Sequence, residues 1–249
     1  MTKPVLSIAA GLIVSMCSIG HAVDLYQGSL GTSPDAQGWL KFNTDGNSSP
    51  VTAANKTTFD TSAMQAERGG FSNYNLIFPV NGAFPSLNRA TGYTVSLDMK
   101  MRAESHASND RSGVGLIVLS SDLFGVELEF WQNEIWVQSG ADFLHAEGVA
   151  FNTTTVNTSY DLAVHGSTYD VFANGNPVAI LSGNLRNYSA FGLPYSLPNF
   201  LFLGDDTTSA SGSFEFSRLS VNVPEPTAML IAISLSGFGL YRQRNRIAA

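Results

Sequence analysis

The sequence predicts an all-β protein, an antiparallel sandwich held between two apolar terminal segments. Apolar and polar residues alternate with a period of two, and short apolar runs are separated by Gly, Asn and Ser. No long stretch shows the periodicity of an amphipathic helix. We therefore expect one β domain over residues 23–222, which is long enough to bury its own core.

The N-terminal segment has the pattern of a secretory signal peptide. An apolar run, Val5–Ile19, follows Lys3 and precedes small residues, so we expect a signal helix over residues 1–22 and cleavage after Ala22. An uncleaved anchor helix is the alternative. Lipid attachment at Cys17 is a second one, although Met16 is larger than the small residue expected before such a cysteine.

The exported domain would lack cysteine, because the single Cys of the chain lies in the signal segment. Its stability must then come from a packed core and not from disulfides. Residues 23–222 contain 9 Lys plus Arg and 19 Asp plus Glu, a formal charge of −10. A domain this acidic repels phosphate backbones, which argues against a nucleic-acid partner.

The strands are predicted from alternation and turn residues. Tyr93–Met101 alternates as a half-buried strand does, and Val114–Leu119 is a continuous apolar run that predicts a strand covered on both faces. Two hairpins are predicted, one joining Val126–Phe130 to Ile135–Val137 and one joining Tyr160–His165 to Tyr169–Phe172. Further strands are predicted at Trp39–Phe42, Thr57–Phe59, Phe200–Leu203 and Phe214–Val221, and at Val178–Leu181 after an Asn174-Gly175 turn.

The domain resembles a concanavalin A-like or laminin-G-like jelly roll. Three stretches carry the resemblance: Tyr93–Met101, Tyr169–Ile180 and Phe200–Val221. Together with the C-terminal segment described next, the domain also resembles the bacterial "choice-of-anchor" domains. This resemblance implies a jelly-roll sandwich that is attached to the cell surface by a separate signal.

The C-terminal segment, residues 223–249, joins a proline motif to an apolar run and an arginine-rich end. The motif is Pro224, Glu225 and Pro226, the apolar run is Thr227–Tyr241, and the basic residues are Arg242, Arg244 and Arg246. As a single helix, the 15-residue run would cover about 22 Å of a bilayer core that is about 30 Å thick. Arginines beside a span stay cytoplasmic, so the folded domain would lie outside.

This arrangement resembles the PEP-CTERM sorting signal of Gram-negative bacteria. The resemblance implies a transient attachment to the inner membrane and processing by an exosortase, an integral-membrane cysteine protease. It also implies a final place at the cell surface or outside the cell, alongside exopolysaccharide. The alternative is an ordinary tail anchor in which Pro224 and Pro226 only end a strand and form a linker.

Glu127, Glu129 and Trp131 are the candidate glycan-binding residues. Residues two apart on a strand share a face, with Cα atoms about 6.8 Å apart, so the indole and both carboxylates could contact one sugar ring. Carboxylate pairs also hydrolyse glycosides, and some jelly-roll glucanases use a Glu-x-Asp-x-x-Glu strand. Here Glu129 replaces the Asp and Gln132 the last Glu, so we expect no catalytic residue.

Three alternatives stay open for these residues. The carboxylates could serve a glycan-cleaving enzyme, both glutamates could be solvated on an outward face, or Trp131 could pack against Trp136 across the hairpin. We expect a non-enzymatic protein that associates with polysaccharide or mediates adhesion. A purely structural matrix protein is the further alternative.

Asp205 and Asp206, which follow Gly204, are candidate calcium ligands because Ca²⁺ prefers carboxylate oxygens. The alternative is a turn in which these side chains bond local backbone groups. No other cofactor is expected. His106, His145 and His165 lack the spacing of a metal site or of a catalytic triad.

Overall fold

The computed structural model describes residues 20–44, 48–63, 66–75, 77–140 and 142–224. Residues His21–Val223 form one compact unit. The predicted terminal helices lie outside the described residues, as do Glu225, Pro226, Arg242, Arg244 and Arg246. Ala22 lies in the first strand and Pro224 ends the last. Among the residues described, no helix is long and apolar enough to cross a membrane.

The described part of the chain contains eighteen strands and two short 3-10 helices, Gly28–Leu30 and Pro34–Gln37, which are joined by loops. The strands are β1 (Gly20–Gln27), β2 (Leu40–Asn43), β3 (Val51–Ala53), β4 (Lys56–Asp60), β5 (Gly69–Ser72), β6 (Tyr74–Asn75), β7 (Phe78–Pro79), β8 (Tyr93–His106), β9 (Gly115–Leu119), β10 (Phe124–Phe130), β11 (Glu134–Gln138), β12 (His145–Ala150), β13 (Thr158–His165), β14 (Thr168–Ala173), β15 (Leu181–Asn184), β16 (Arg186–Asn187), β17 (Leu201–Asp205) and β18 (Ala210–Pro224).

The strands form two eight-stranded sheets and a separate β6–β7 pair. The first sheet has the order β15-β14-β13-β8-β18-β4-β3, with β1 also paired to β18. The second has the order β12-β11-β10-β9-β17-β5-β2, with β16 also paired to β10. Every pairing with a described register is antiparallel. The prediction of an antiparallel sandwich is therefore confirmed.

The alternating stretch at Tyr93–Met101 forms most of β8, near the middle of the first sheet. Its burial alternates along the strand, and Val95, Leu97 and Met99 are fully covered. Each large apolar side chain that is removed from water contributes about 1.5–3 kcal/mol. The period of two in the sequence thus reports the inward face of this strand.

Aromatic side chains join the two sheets in the main core. Phe59 and Phe216 belong to the first sheet and Phe71 to the second, and the Phe71 ring lies 5.6 Å from that of Phe59 and 5.7 Å from that of Phe216. Tilted and edge-on contacts of this kind add to the burial of the rings themselves. The core therefore holds the sandwich together without any cystine.

Both predicted hairpins are present, as β10–β11 and β13–β14. The strand predicted at Val178–Leu181 is wrong in its position, because β15 begins only at Leu181. Pro177 has no N–H to offer a ladder, and the N–H of Val178 donates to the Asn176 side chain. The Val178 side chain is accordingly 69% exposed.

Strand β9 is covered on both faces, as the apolar run at Val114–Leu119 predicted. Leu116 and Val118 of β9 point into the core between the sheets. Ile117 and Leu119 belong to a second apolar cluster, which also contains Tyr188, Leu197, Phe200 and Phe202. We call the face that carries this second cluster the outer face of the second sheet, and it contains the candidate site.

Candidate functional site

Glu127 and Glu129 lie on the outer face of the second sheet. Their neighbours on β10, Val126 and Leu128, fill the core between the sheets, so strand alternation turns both carboxylates the other way. The expectation of a shared face is confirmed. The alternative of solvated glutamates is wrong, because Glu127 is 0% and Glu129 2% exposed.

A glycine makes room for the Glu129 carboxylate. Gly115 of β9 lies directly opposite Glu129, and a Cβ on Gly115 would approach Oε2 of Glu129 to 2.9 Å. Gly115 is also paired with Gly204 of β17 on its other side. Neither glycine has a side chain on the outer face, so the Glu129 carboxylate occupies space that larger residues at these two positions would fill.

Asp206 completes a group of three carboxylates with Glu127 and Glu129. One oxygen of each lies within 4.8 Å of the other two. Asp205 does not join them: it accepts hydrogen bonds from the Thr61 hydroxyl at 2.6 Å and the Thr207 N–H at 3.2 Å. The structure thus separates the two aspartates that the sequence offers as a calcium pair.

Two tyrosines lie against the three carboxylates. The Tyr195 hydroxyl lies 2.9 Å from Glu127 Oε2, to which it donates, and 3.4 Å from Asp206 Oδ2. The Tyr188 ring stacks on Tyr195 with centroids 5.1 Å apart and an interplanar angle of 13°. Tyr188 is fully buried, and its hydroxyl has no hydrogen-bond partner among the residues that the structure describes.

Two phenylalanines extend this layer. The rings of Phe143 and Phe191 lie 5.3 Å and 6.1 Å from the Tyr195 ring and 5.0 Å from each other. We call Phe143, Tyr188, Phe191 and Tyr195 the aromatic cover. Phe143, Phe191 and Tyr195 are half-buried, so part of the cover remains accessible, while Glu127 and Glu129 beneath it are buried and Asp206 is half-buried.

The surroundings of the three carboxylates disfavour negative charge. Burial raises the pKa of Glu127 well above its usual range, and the charge of Asp206 raises it further. Burial likewise raises the pKa of Glu129, and the neighbouring Glu127 adds to that effect. The pKa of Asp206 is raised by burial as well. The group is therefore suited to hold either protons or a cation.

Arg111 brings a positive charge to one side of the group. Its guanidinium opposes the rise in the pKa of Asp206. Its Nη1 also donates to the backbone carbonyls of Asp110 at 2.5 Å and Phe143 at 2.6 Å. Arg111 thus connects the backbone of the aromatic cover to the loop before β9.

Trp131 is packed in the structure. It is 8% exposed, and the His106 ring stacks on it with centroids 4.2 Å apart. The Trp136 ring lies 5.4 Å away, and the indole N–H donates to the Arg111 carbonyl at 3.0 Å. This is the packing alternative. Glycan contact by Trp131 stays a prediction that requires His106 to leave the indole face.

His106 and His145 both pack against Trp131, whose ring lies 4.2 Å from that of His106 and 5.0 Å from that of His145, while His165 lies elsewhere. His106 Nδ1 lies 2.8 Å from Glu104 Oε1, and His145 stacks on Trp136 at 4.3 Å. His165 is exposed at the end of β13. Within the described ranges, the potential metal ligands that lie together are the three carboxylates, and no histidine is among them.

Sequence reasoning did not single out Tyr188, Tyr195 or Arg111. The available signal was the density of aromatic residues over Asn187–Tyr195, which has no strand or helix period. Tyr188 and Tyr195 reach the carboxylates only because the chain from β16 to β17 crosses the outer face. Local patterns carry no information on such a crossing.

No model of a known protein family matches the chain, and no curated protein matches it. Solved structures do. A carbohydrate esterase from the Shiga toxin-encoding bacteriophage phi24B is similar with a TM-score of 0.55 at 14% identity, over 82% of this chain and 100% of that chain. The exoplasmic/lumenal domain of VIP36 in a Ca²⁺/Man2-bound form gives 0.47 at 9% identity, over 82% of this chain and 88% of that one.

A family 7 alginate lyase in complex with its substrate gives a TM-score of 0.42 at 13% identity, over 82% of this chain and 93% of that chain. At such low sequence identities, similarity to a solved structure shows only that the fold is shared. The strand order of this chain shows the same fold without reference to those structures. The chain is therefore an antiparallel jelly-roll β-sandwich.

Proposed function

We propose that this chain is an exported, non-enzymatic jelly-roll protein that associates with polysaccharide through the aromatic cover of its second sheet. The observation that carries the proposal is the half-buried state of Phe143, Phe191 and Tyr195, which pack on one another. A group of aromatic rings with one accessible side can take the apolar C–H face of a sugar ring.

The likeness to solved structures agrees with this ligand class. The esterase with a TM-score of 0.55 is described as carbohydrate-active, and it shares the fold of this chain. Function depends on the site and not on the fold, so the argument rests on the cover. In the proposal, the accessible rings contact the sugar first. The Glu127 carboxylate lies one layer below them, bonded to Tyr195.

Burial of the carboxylates favours binding over cleavage. A general acid or nucleophile has to reach the glycosidic oxygen or carbon, yet Glu127 and Glu129 are 0% and 2% exposed beneath the cover. Hydrolysis would require the cover to open. The alternative of a glycan-cleaving enzyme therefore predicts turnover of a polysaccharide that Glu127→Gln abolishes, whereas the binding proposal predicts no turnover by the unaltered chain.

We also propose that residues 223–249 act as a PEP-CTERM-type sorting signal. The support is the sequence itself: Pro224-Glu225-Pro226, the short apolar run and the three arginines. In this proposal an exosortase-type protease processes the chain at the inner membrane and delivers it to the cell surface or the matrix. The polysaccharide bound there would be exopolysaccharide of the same matrix.

The direct test is affinity electrophoresis of the purified full-length chain against a panel of bacterial polysaccharides. Phe191→Ala removes one accessible ring and should weaken binding about two- to twelvefold, since a ring contact is worth about 0.5–1.5 kcal/mol. Phe78→Ala is the matched control, because Phe78 is 68% exposed on the separate β6–β7 pair.

Retention of affinity in Phe78→Ala together with its loss in Phe191→Ala would support the proposal. Absence of binding to every polysaccharide, or an equal loss in both variants, would contradict it. Absence of binding to every polysaccharide would favour a structural matrix protein without a glycan partner.

A further inference from the structure

The buried carboxylates of the second sheet have unused acceptor atoms. Glu127 Oε1 and Glu129 Oε2 are both buried, and neither accepts a hydrogen bond from an N–H or hydroxyl group of the described residues. The hydrogen-bond partners left to Glu127 and Glu129 are each other and Asp206, and these serve only while a carboxyl is protonated. The other oxygen of Glu127 bonds to Tyr195. Unpaired acceptors of this kind are rare in folded proteins, because each carries a desolvation cost that a bound partner removes.

We infer that Glu127, Glu129 and Asp206 form a binding site for one divalent cation, of the calcium class. One oxygen from each residue lies within 4.8 Å of the others. Calcium binds oxygen at 2.3–2.6 Å, so two ligands of the same ion lie at most about 5 Å apart. The donor set contains only carboxylate oxygens, which favours a hard cation over zinc or copper.

The Tyr188 hydroxyl is a second observation that points to a ligand at this place. It belongs to the loop over the sheet and not to the acidic group. It is fully buried, and no described residue lies within hydrogen-bond distance of it as a partner. The Tyr188 ring stacks on that of Tyr195 with centroids 5.1 Å apart, and the Tyr195 hydroxyl donates to Glu127, so the Tyr188 phenol lies beside the group. A neutral phenol oxygen offers the lone pairs that a cation or its bound water can use.

Electrostatics gives the reason for a cation. Leaving a carboxylate charged in a buried site costs several kcal/mol unless a positive charge compensates it. The nearby Arg111 opposes the rise in the pKa of Asp206, and it also donates to two backbone carbonyls. A divalent ion would compensate two charges at once, and it would displace the protons that the group otherwise keeps.

This inference is independent of polysaccharide binding, but it explains how the cover is held. Tyr195 donates to Glu127, so an ion that orders this carboxylate also orders the tyrosine above it. Second-shell donors of this kind orient metal-binding carboxylates. Loss of the ion should therefore loosen the aromatic cover before it affects the main core.

The test uses the full-length chain, freed of metal with a chelator and titrated with CaCl₂ or MgCl₂ at neutral pH. Isothermal titration calorimetry should show one ion per chain, tighter than about 1 mM, the weak end of protein calcium sites. Asp206→Asn should weaken binding at least about tenfold, since it removes one charged ligand of three. Asp205→Asn is the matched control, because the adjacent Asp205 bonds Thr61 instead.

Terbium supplies a second readout that does not depend on heat or stability. Tb³⁺ has calcium-like ligand preferences, so excitation of the nearby Tyr188 and Tyr195 should sensitise its emission, and calcium should quench this emission by competition. The inference would be overturned if the folded, unaltered chain showed neither sensitised terbium emission nor a heat of calcium binding in the calorimeter. Glu127, Glu129 and Asp206 would then be a group of carboxyls that share protons and bind no cation. Equal loss in the Asp205 and Asp206 variants would overturn the inference too.

Discussion

The hydroxyl of Tyr195 lies 2.9 Å from Oε2 of Glu127, so a residue of the loop between β16 and β17 is tied to the middle of a strand. This bond joins the aromatic cover to the carboxylate group beneath it. Because the acceptor is buried, the bond affects both the position of the loop and the protonation of the group.

Tyr195→Phe keeps the ring and removes the donor. We expect a fall of about 1–3 kcal/mol in the free energy of unfolding, the cost of leaving a buried acceptor unpaired, measured by urea denaturation. Tyr74→Phe is the control. Its hydroxyl donates to the Pro198 carbonyl at 2.6 Å in an exposed position, and water can replace it. An equal or larger loss for Tyr74→Phe would argue against a special role for the Tyr195 bond.

Stability in the absence of divalent cations should fall as the pH rises. The pKa values of Glu127 and Glu129 are raised above 4.5 in the folded state. Below that pH both states are protonated. Above it the unfolded chain releases protons that the folded chain retains, which favours unfolding by up to about 1.4 kcal/mol per pH unit for each proton.

Over this range Tyr188 and Tyr195 stay neutral, because burial and the neighbouring negative charges raise their own pKa values. Glu127, Glu129 and Asp206 contribute to this slope, together with Asp205, whose pKa burial raises to about 8, and Glu104, whose pKa burial also raises. The lowered pKa values of Glu147 and Glu215 act in the opposite direction. Chemical denaturation at a series of pH values measures it. Glu129→Gln should flatten the slope, and saturating calcium should reduce it. A pH-independent free energy of unfolding in chelator would contradict the prediction.

Gly115→Ala should disturb the carboxylate group specifically. The new Cβ would lie 2.9 Å from Glu129 Oε2, in a buried place where the carboxylate has little room to move. We expect a loss of about 1–3 kcal/mol from overpacking, together with weaker calcium binding. Gly82→Ala is the control, because a Cβ there meets no atom within 4 Å. Thermal unfolding with and without calcium compares the two variants.

Trp131→Ala should act on stability and not on polysaccharide affinity. The indole packs between His106 and Trp136, and removing a buried Trp costs about 3–5 kcal/mol. Urea denaturation measures this loss, with the exposed Phe78→Ala as a control that should change stability by less than about 0.5 kcal/mol. Unchanged stability combined with lost polysaccharide binding would instead identify Trp131 as a sugar platform.

The sorting proposal predicts that two epitope tags part from each other. One tag is placed after Ala22 and the other after Ala249, and both are followed by immunoblotting of cell fractions. Processing at the Pro224–Pro226 motif should give a tagged domain without the C-terminal tag. A single membrane-bound product that carries both tags, in cells with and without an exosortase-type protease, would favour the plain tail anchor.

The sequence alone predicted many of the strands, because the pattern that indicates a strand lies in neighbouring residues. Alternation at Tyr93–Met101 and the apolar run at Val114–Leu119 report directly which side chains avoid water. The shared face of Glu127 and Glu129 follows from the same period. The strand at Val178–Leu181 was misplaced because its backbone partners depend on Pro177 and on the Asn176 side chain, which an apolar pattern does not reveal.

What the sequence determined by itself was the fold class, the hairpins and the common side of two glutamates, since each is a property of neighbouring residues. Only the tertiary structure decided that this side is covered, that Asp206 joins the glutamates while Asp205 leaves, and that Tyr188 and Tyr195 lie above them. These contacts arise because β9 lies between β10 and β17 and the chain from β16 to β17 crosses the sheet. Long-range strand order brings such residues together, and no local period encodes it.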